Sequence, residues 1–354
     1  MPLPNTLDLI RELIAIPGPP GQESAVATAV AAHAESLGCA HATDARGNLI
    51  IAAPGAGAVP EKARVVVMAH LDEIALMVER IEPDGLLRVV SLGGLLPWKL
   101  GEGPVEILAS SGEITGVLGF GSIHTNSPES PTVKARDSAL TWDAARVFTG
   151  LSVTELKARG VRPGTRVVLG RARRTVTEMG DFIAAPFLDD RADVAALLLA
   201  LEIVKSEGLN LPGVVFAATS AEEVGGHGAL YMLRNLQPEV GIALEIGPRV
   251  PESRFTLDDQ PTVWVHDGYC DTLASDLDLI AGAAEAAKLT PHWQALSRGG
   301  SDASCAGSHG LVARPITLAF AAENSHGYEI THKDSVTNLA RLLVEVLRRV
   351  ANGD

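Results

Sequence analysis

Cysteine is scarce in this chain. Cys39, Cys270 and Cys305 lie far apart and form no Cys-x-x-Cys pair, which argues against a disulfide framework and against a thiolate zinc site. Positive charge is also in deficit: 29 Lys and Arg face 43 Asp and Glu, a formal charge of −14 at pH 7. Nucleic acid and anionic membrane both require a cationic face, and the short segment "GRARR" at 170–174 does not supply one. Long apolar runs are missing too, since "ADVAALLLALEIV" and "RLLVEVL" are too short or too interrupted by charge to span a bilayer. The N-terminal segment "MPLPNTLDLIRELIAIPG" lacks the basic start and small-residue cleavage site of a signal peptide, so cytoplasmic residence is the expectation. There is no internal repeat and no low-complexity linker.

What is present is globular. Hydrophobic residues make up 46% and charged residues 20% of 354 positions, enough for a sizeable core in two compact units or in one large α/β unit with an insertion. The spacing predicts helices over 5–15 and 23–38, then short β-branched strands "NLIIAAP" and "ARVVVMAH", the second without alternation, as in a strand covered on both faces. From 73 to 177 the texture changes to short alternating segments separated by Gly, Pro and Ser, with only "SVTELKARG" helical, which predicts a small antiparallel barrel. The α/β pattern then resumes: helix 190–207, strand 213–219, helix 223–235, strand 240–246, strand 262–266, helix 274–288, strand 312–320 and helix 334–351. The organisation expected is an α/β catalytic domain of residues 1–72 and 178–354, interrupted by a β-rich domain of residues 73–177.

In open α/β sheets function gathers outside the carboxyl ends of the strands. Polar residues directly after the apolar runs are therefore the candidates. "VVVM" is followed by His70 and Asp72, "VVFAATS" by Glu222 and Glu223, "GIAL" by Glu245, and "ITLAF" leads to Glu323 and His326; Asp189 and Asp190 follow "AAPFL" and open a helix. Taken singly these have ordinary explanations: a hydrogen-bonded core histidine, a helix cap, a loop acid. Together they bring mutually repelling carboxylates into one crevice, where either their pKa values rise or cations neutralise them.

Two divalent ions meet that requirement. A dinuclear hydrolytic site needs a bridging carboxylate, a histidine and a carboxylate for each ion, and a free carboxylate to take a proton from the bridging water. If Glu223 binds metal, Glu222 beside it can be that base. Nitrogen and oxygen donors without thiolate suit Zn²⁺, Co²⁺ or Mn²⁺.

With these motifs in view, the sequence resembles the M42 family of metallo-aminopeptidases, the group of the tetrahedral (TET) and glutamyl aminopeptidases. The resemblance is carried by "AHLDE" (69–73), "DDR" (189–191), "EEVGGHGA" (222–229), "GGSDAS" (299–304) and "SHGYE" (325–329), in family order over nearly the whole chain. It implies a mixed-sheet, three-layer aminopeptidase-type α/β domain with an inserted small, PDZ-like β-barrel that serves assembly or access. It also implies roles: His70 and Glu245 bind one ion, Glu223 and His326 the other, Asp189 bridges, Asp72 orients His70, and Glu222 is general base and acid. The chain has Glu245 where the family usually has Asp, and "HGYE" in its closing motif.

The expected activity is metal-dependent removal of N-terminal residues from short peptides, with a hydroxide bridging two divalent ions, Zn²⁺ first among the candidates, as nucleophile. Homo-oligomerisation, dimers forming a dodecamer, is implied by the resemblance alone. The alternatives are a dinuclear deacylase or a carboxypeptidase, the latter needing a cation near the site, for which Arg191 and Arg298 are the candidates; a non-catalytic assembly protein would lack ligands or base. Glycosidase action would need two free carboxylates. His227 is expected on a helix surface, Cys305 in a structural role, and Trp98 in a loop serving folding or assembly.

Overall fold

The computed structural model of the chain describes residues 5–352. The chain forms two compact units: residues up to Asp72 together with those from Val176 onward, and Glu73–Thr175.

The larger unit begins with helices α1 (Thr6–Ala15) and α2 (Ser24–Ser36), followed by strands β1 (His41–Thr43), β2 (Leu49–Ala52) and β3 (Val65–His70). Asn5 caps α1 by accepting the Asp8 backbone N–H at 3.0 Å, and Leu9, Ile10, Leu13 and Ile14 bury one face at helical spacing.

The smaller unit carries β4 (Ala75–Ile81), β5 (Leu87–Leu92), α3 (Pro97–Leu100), β6 (Gly103–Ala109), β7 (Gly112–Gly119), α4 (Pro131–Lys134), β8 (Arg146–Phe148), α5 (Val153–Ala158) and β9 (Arg166–Leu169). Its strands close into an antiparallel barrel in the order β4-β5-β8-β7-β6-β9, filled by Val78, Leu87, Val89, Val105, Ile107, Leu118, Val147 and Val167. Alternation along each strand explains the closure, because every second residue must find an interior. Near the barrel's two chain ends the Arg174 guanidinium grips Glu73 through two bonds of 2.6 Å, both side chains buried.

Back in the larger unit come β10 (Thr177–Met179), β11 (Phe182–Pro186), α6 (Leu188–Ser206), β12 (Val214–Thr219), α7 (His227–Leu236), β13 (Val240–Pro248), β14 (Pro261–His266), α8 (Ala274–Ala287), β15 (His292–Ala295), α9 (Asp302–Ser308), β16 (Arg314–Glu323), β17 (Tyr328–His332) and α10 (Ser335–Asn352). Among the described residues its mixed sheet has eleven strands, ordered β1-β2-β12-β3-β13-β16-β17-β11-β10, with β14 on β16 and β15 on β14. The central four, β12, β3, β13 and β16, are parallel, so their carboxyl ends share one rim.

Helices cover both faces, giving three layers. Val65, Val67 and Ala69 of β3 join the core with α1, α2, α6, α8 and α10, while Val66 and Met68 face the cluster formed by α7 and α9. The period-two geometry of a strand dictates that split. Truncating a buried residue such as Leu198 or Phe216 to Ala costs about 2–5 kcal/mol at such sites. No helix among the described residues is long and apolar enough to cross a membrane.

Several boundaries differ from the sequence reading. The smaller unit ends at Thr175, two residues before the expected 177, and holds the short helices α3 and α4 besides α5. Helix α7 starts at His227, four residues after the expected 223, because Gly225 and Gly226 adopt positive φ (120° and 64°) and keep the double-glutamate segment out of the helix. The short strands β15 and β17 and the Ser- and Ala-rich α9 were not anticipated.

Candidate metal centre

His70 is the last residue of β3, and the chain leaves the sheet through the buried Asp72. The Asp72 carboxylate accepts the backbone N–H groups of Glu222 (2.9 Å) and Glu223 (3.1 Å). The His70 imidazole is oriented chiefly by the Asp72 main-chain carbonyl, 3.1 Å from Nδ1; the carboxylate Oδ1 lies at 3.5 Å. Nε2 is thereby turned toward Asp189 Oδ1, 3.1 Å away.

The double-glutamate turn is pinned at both ends. The Glu222 carbonyl accepts from the backbone N–H of Gly225 (2.8 Å) and of Gly226 (2.9 Å). Asn48 accepts the Ser220 N–H at 2.9 Å and donates to the Gly228 carbonyl at 3.0 Å. A methyl group at Gly228 would lie 2.1 Å from the Ser220 carbonyl oxygen and 2.4 Å from Asn48 Oδ1, so the start of α7 seats against the end of β12 only with glycine there.

Asp189 and Asp190 precede the regular part of α6: Phe187 is left-handed (φ 62°), both acids have non-helical dihedrals, and the peptide between them is cis. On the opposite side β16 ends in a tight turn in which Asn324 and His326 have positive φ. Buried Glu329 of β17 ties these segments together, accepting the N–H of Asp189 (3.0 Å) and of His326 (2.9 Å).

Two groups of donors result, and Asp189 belongs to both. Ligand-type atoms of His70, Asp189, Asp190 and Glu245 lie within 4.8 Å of one another, as do those of Asp189, Glu223 and His326. His326 Nε2 is 3.5 Å from Asp189 Oδ2 and 3.7 Å from Glu223 Oε1. Glu222 is in neither group; its Oε2 is 3.9 Å from His70 Nε2. The sequence candidates thus converge, with Glu323 apart from them in an exposed pair with Arg249 (3.1 Å).

Burial is the largest influence on each carboxylate here. It lifts Glu223 to about 7 and Glu329 to about 8, and carries Glu222 and Glu245 well above the ordinary range, helped for Glu222 by Asp302 and Glu223 and for Glu245 by Glu222 and Asp189. Asp189 is the exception: His326 and His70 outweigh its burial and hold it below the usual range. Burial opposes charge on His70 and His326 as well, yet the surrounding acids overcome it and push His326 up to about 11. So dense a set of buried acids with two imidazoles fits divalent cations, which would replace the protons these groups otherwise hold.

Sequence reasoning gave no role to Glu329 and Asp302, although both stand in quoted motifs, and passed over Asp193. Asp302 accepts the Thr219 hydroxyl at 2.6 Å, and burial raises it to about 6. Burial raises Asp193, one turn along α6, to about 8 against the opposing bond with Asp190. The signal available was the spacing in "DDRAD", which puts Asp193 three residues after Asp190. His227 is exposed at the start of α7, and the Cys305 thiol is raised by burial to about 11, unlike a nucleophile. Arg191 is wholly buried and donates to the carbonyls of Leu71 and Ile16.

The chain was compared with known proteins. Lysyl aminopeptidase of Pyrococcus furiosus is 33% identical over 185 residues, 52% of this chain, and the chain aligns with about half (51%) of that relative's length. The TET aminopeptidase of a Thaumarchaeota archaeon from marine sediment superposes with a TM-score of 0.86 at 22% identity, covering 98% of this chain and 96% of that one. Pyrococcus horikoshii TET1 peptidase, described as able to assemble into a tetrahedron or a large octahedral shell, superposes with a TM-score of 0.82 at 23% identity, covering 97% and 99%. At these identities the two structures establish a shared fold. The M42 glutamyl aminopeptidase family model matches residues 47–342, which is most of the chain, and the protein belongs to that family.

Proposed function

We propose that the protein is a metal-dependent aminopeptidase that removes N-terminal residues from short peptides. The observation that carries this reading is the sharing of Asp189 between two donor groups, with Glu222 beside them and part of neither. His70, Glu245 and Asp189 would hold one divalent ion, and Glu223, His326 and Asp189 the second. When bound, such ions supply Lewis acidity at a peptide carbonyl and lower the pKa of water, with Zn²⁺ the first candidate and Co²⁺ or Mn²⁺ close behind.

The chain's own residues do the rest. Glu222, which belongs to neither donor group, takes one proton from the attacking water and delivers it to the departing amine. Asp72 and the Asn48 clamp keep Glu222 where that transfer requires it. The acidic rim holds the substrate's free α-ammonium group. A carboxypeptidase would need a cation facing the site, and Arg191 is committed to backbone carbonyls.

Self-assembly, dimers building a dodecamer, is part of the proposal. It draws on the assemblies described for Pyrococcus horikoshii TET1 peptidase and on the exposed apolar residues Trp98, Ile123, Val117 and Phe148 of the smaller unit, the last two paired across β7 and β8. Three free thiols accord with cytoplasmic residence. The test is a panel of aminoacyl chromogenic substrates with metal-stripped protein to which Zn²⁺, Co²⁺ or Mn²⁺ is returned singly. Metal-restored release of the chromophore is expected; inactivity with every ion and every residue type would refute the reading.

A further inference from the structure

The two donor groups are unequal. The second holds one imidazole and two carboxylates; the first holds one imidazole and three, the third being Asp190. Asp190 is completely buried. Its Oδ2 accepts the backbone N–H of His70 at 2.5 Å, which fixes the orientation of the carboxylate, while Oδ1 has no hydrogen-bond partner. A buried carboxylate oxygen left without a donor is costly, and the Asp190 carboxylate offers a ligand-type atom within 4.8 Å of those of His70, Asp189 and Glu245. Nearby Asp193 adds a second buried acid, whose oxygens have no donor other than the Asp190 carboxyl itself. Among the described residues no Lys or Arg forms an ion pair with either acid, so a cation is the natural counter-charge.

We propose that Asp190 is a further ligand of the first cation site, acting with His70, Asp189 and Glu245. This rests on the metal-centre reading above and extends it. The first site is then the oxygen-rich one. Manganese favours a larger set of carboxylate oxygens, whereas zinc is satisfied by four donors, so the extra carboxylate should matter more for Mn²⁺ than for Zn²⁺.

The test is Asp190→Asn in metal-stripped protein, titrated with Mn²⁺ alone and with Zn²⁺ alone by calorimetry. The amide keeps an oxygen for the His70 N–H but loses the anionic ligand atom. The expected result is that Mn²⁺ binding at one of two sites weakens about tenfold or more, Zn²⁺ weakens by a smaller factor, and the other site is unchanged. Unaltered Mn²⁺ binding, or equal weakening of both ions as a structural role would give, overturns the proposal. Should the variant misfold, wild-type crystals soaked in Mn²⁺ decide: an ion within about 2.5 Å of Asp190 supports it, and an ion held with Asp190 turned away overturns it. Wild-type protein that binds no divalent ion would refute the metal centre as a whole. Two bound ions without peptide hydrolysis would refute only the aminopeptidase reading and leave Asp190 as a ligand.

Discussion

The Asp72 carboxylate accepts the backbone N–H of Glu222 at 2.9 Å, so a charge at the end of β3 positions a residue 150 places further along the chain. Its other oxygen takes the Glu223 N–H, and the turn hangs from one buried anion. Asp72→Ala should leave two N–H donors without a partner, destabilise the protein by about 1–3 kcal/mol and depress turnover, read by thermal melts and by kcat at saturating metal. Normal kcat in the folded variant would show that the turn holds itself.

Glu222→Gln removes the proton carrier without removing a ligand. Turnover should fall by about two to four powers of ten while two metal ions still bind per chain, measured by steady-state kinetics and metal analysis. Loss of metal together with activity would move Glu222 into the ligand set.

Glu329 belongs to neither donor group, yet it holds the backbones of Asp189 and His326. Glu329→Gln turns part of that acceptor into a donor facing N–H groups. Metal affinity should drop by about 10–100-fold, visible in competition with a chelator. Unchanged affinity would make the bond dispensable.

The buried acids make a pH prediction. In the protein alone burial raises Asp193 and Glu329 to about 8 and Asp302 to about 6, from ordinary values of 3.8 and 4.5 for Asp and Glu. A carboxyl that binds its proton more tightly in the fold contributes stability fully below its unfolded pKa, and that stability is lost as pH rises through the folded value. Metal-stripped protein should therefore melt progressively lower from about pH 4.5 to about pH 8, and added Mn²⁺ should restore more stability at the upper end than at the lower. Depressed Asp189 acts only below this window, whereas His326, raised from its ordinary 6.5 to about 11, adds to the decline from about pH 6.5 upward. A flat profile for the stripped protein would contradict the assignment.

In the smaller unit, Glu73→Gln removes the carboxylate from the buried bidentate pair with Arg174. A loss of about 3–5 kcal/mol is expected, read by chemical denaturation. A loss within experimental error would mean that Arg174 finds another acceptor.

Much of the candidate site was legible because strand ends declare themselves. His70, Glu223, Glu245 and His326 each follow an apolar run, and the parallel register of β3, β12, β13 and β16 places those ends on one rim. The sequence hid what depends on backbone detail. Glu222 and Glu223 look like the first turn of a helix, but two glycines at positive φ hold them outside α7. Asp190 reads as a helix cap, and only the fold shows its second oxygen without a partner. Short β17 carries too little alternation to announce a strand, so Glu329 stood in the closing motif without its anchoring role being legible.

The bond between Glu73 and Arg174 has a consequence for how this chain can be altered. It joins the first residue of the smaller unit to its last but one, so the points where the barrel departs and returns are stapled side by side. Closing the gap after excision would take only a short linker, at small entropic cost. The barrel thus has the geometry of a cassette that enters and leaves at one point, which favours its replacement by another module whose termini lie equally close.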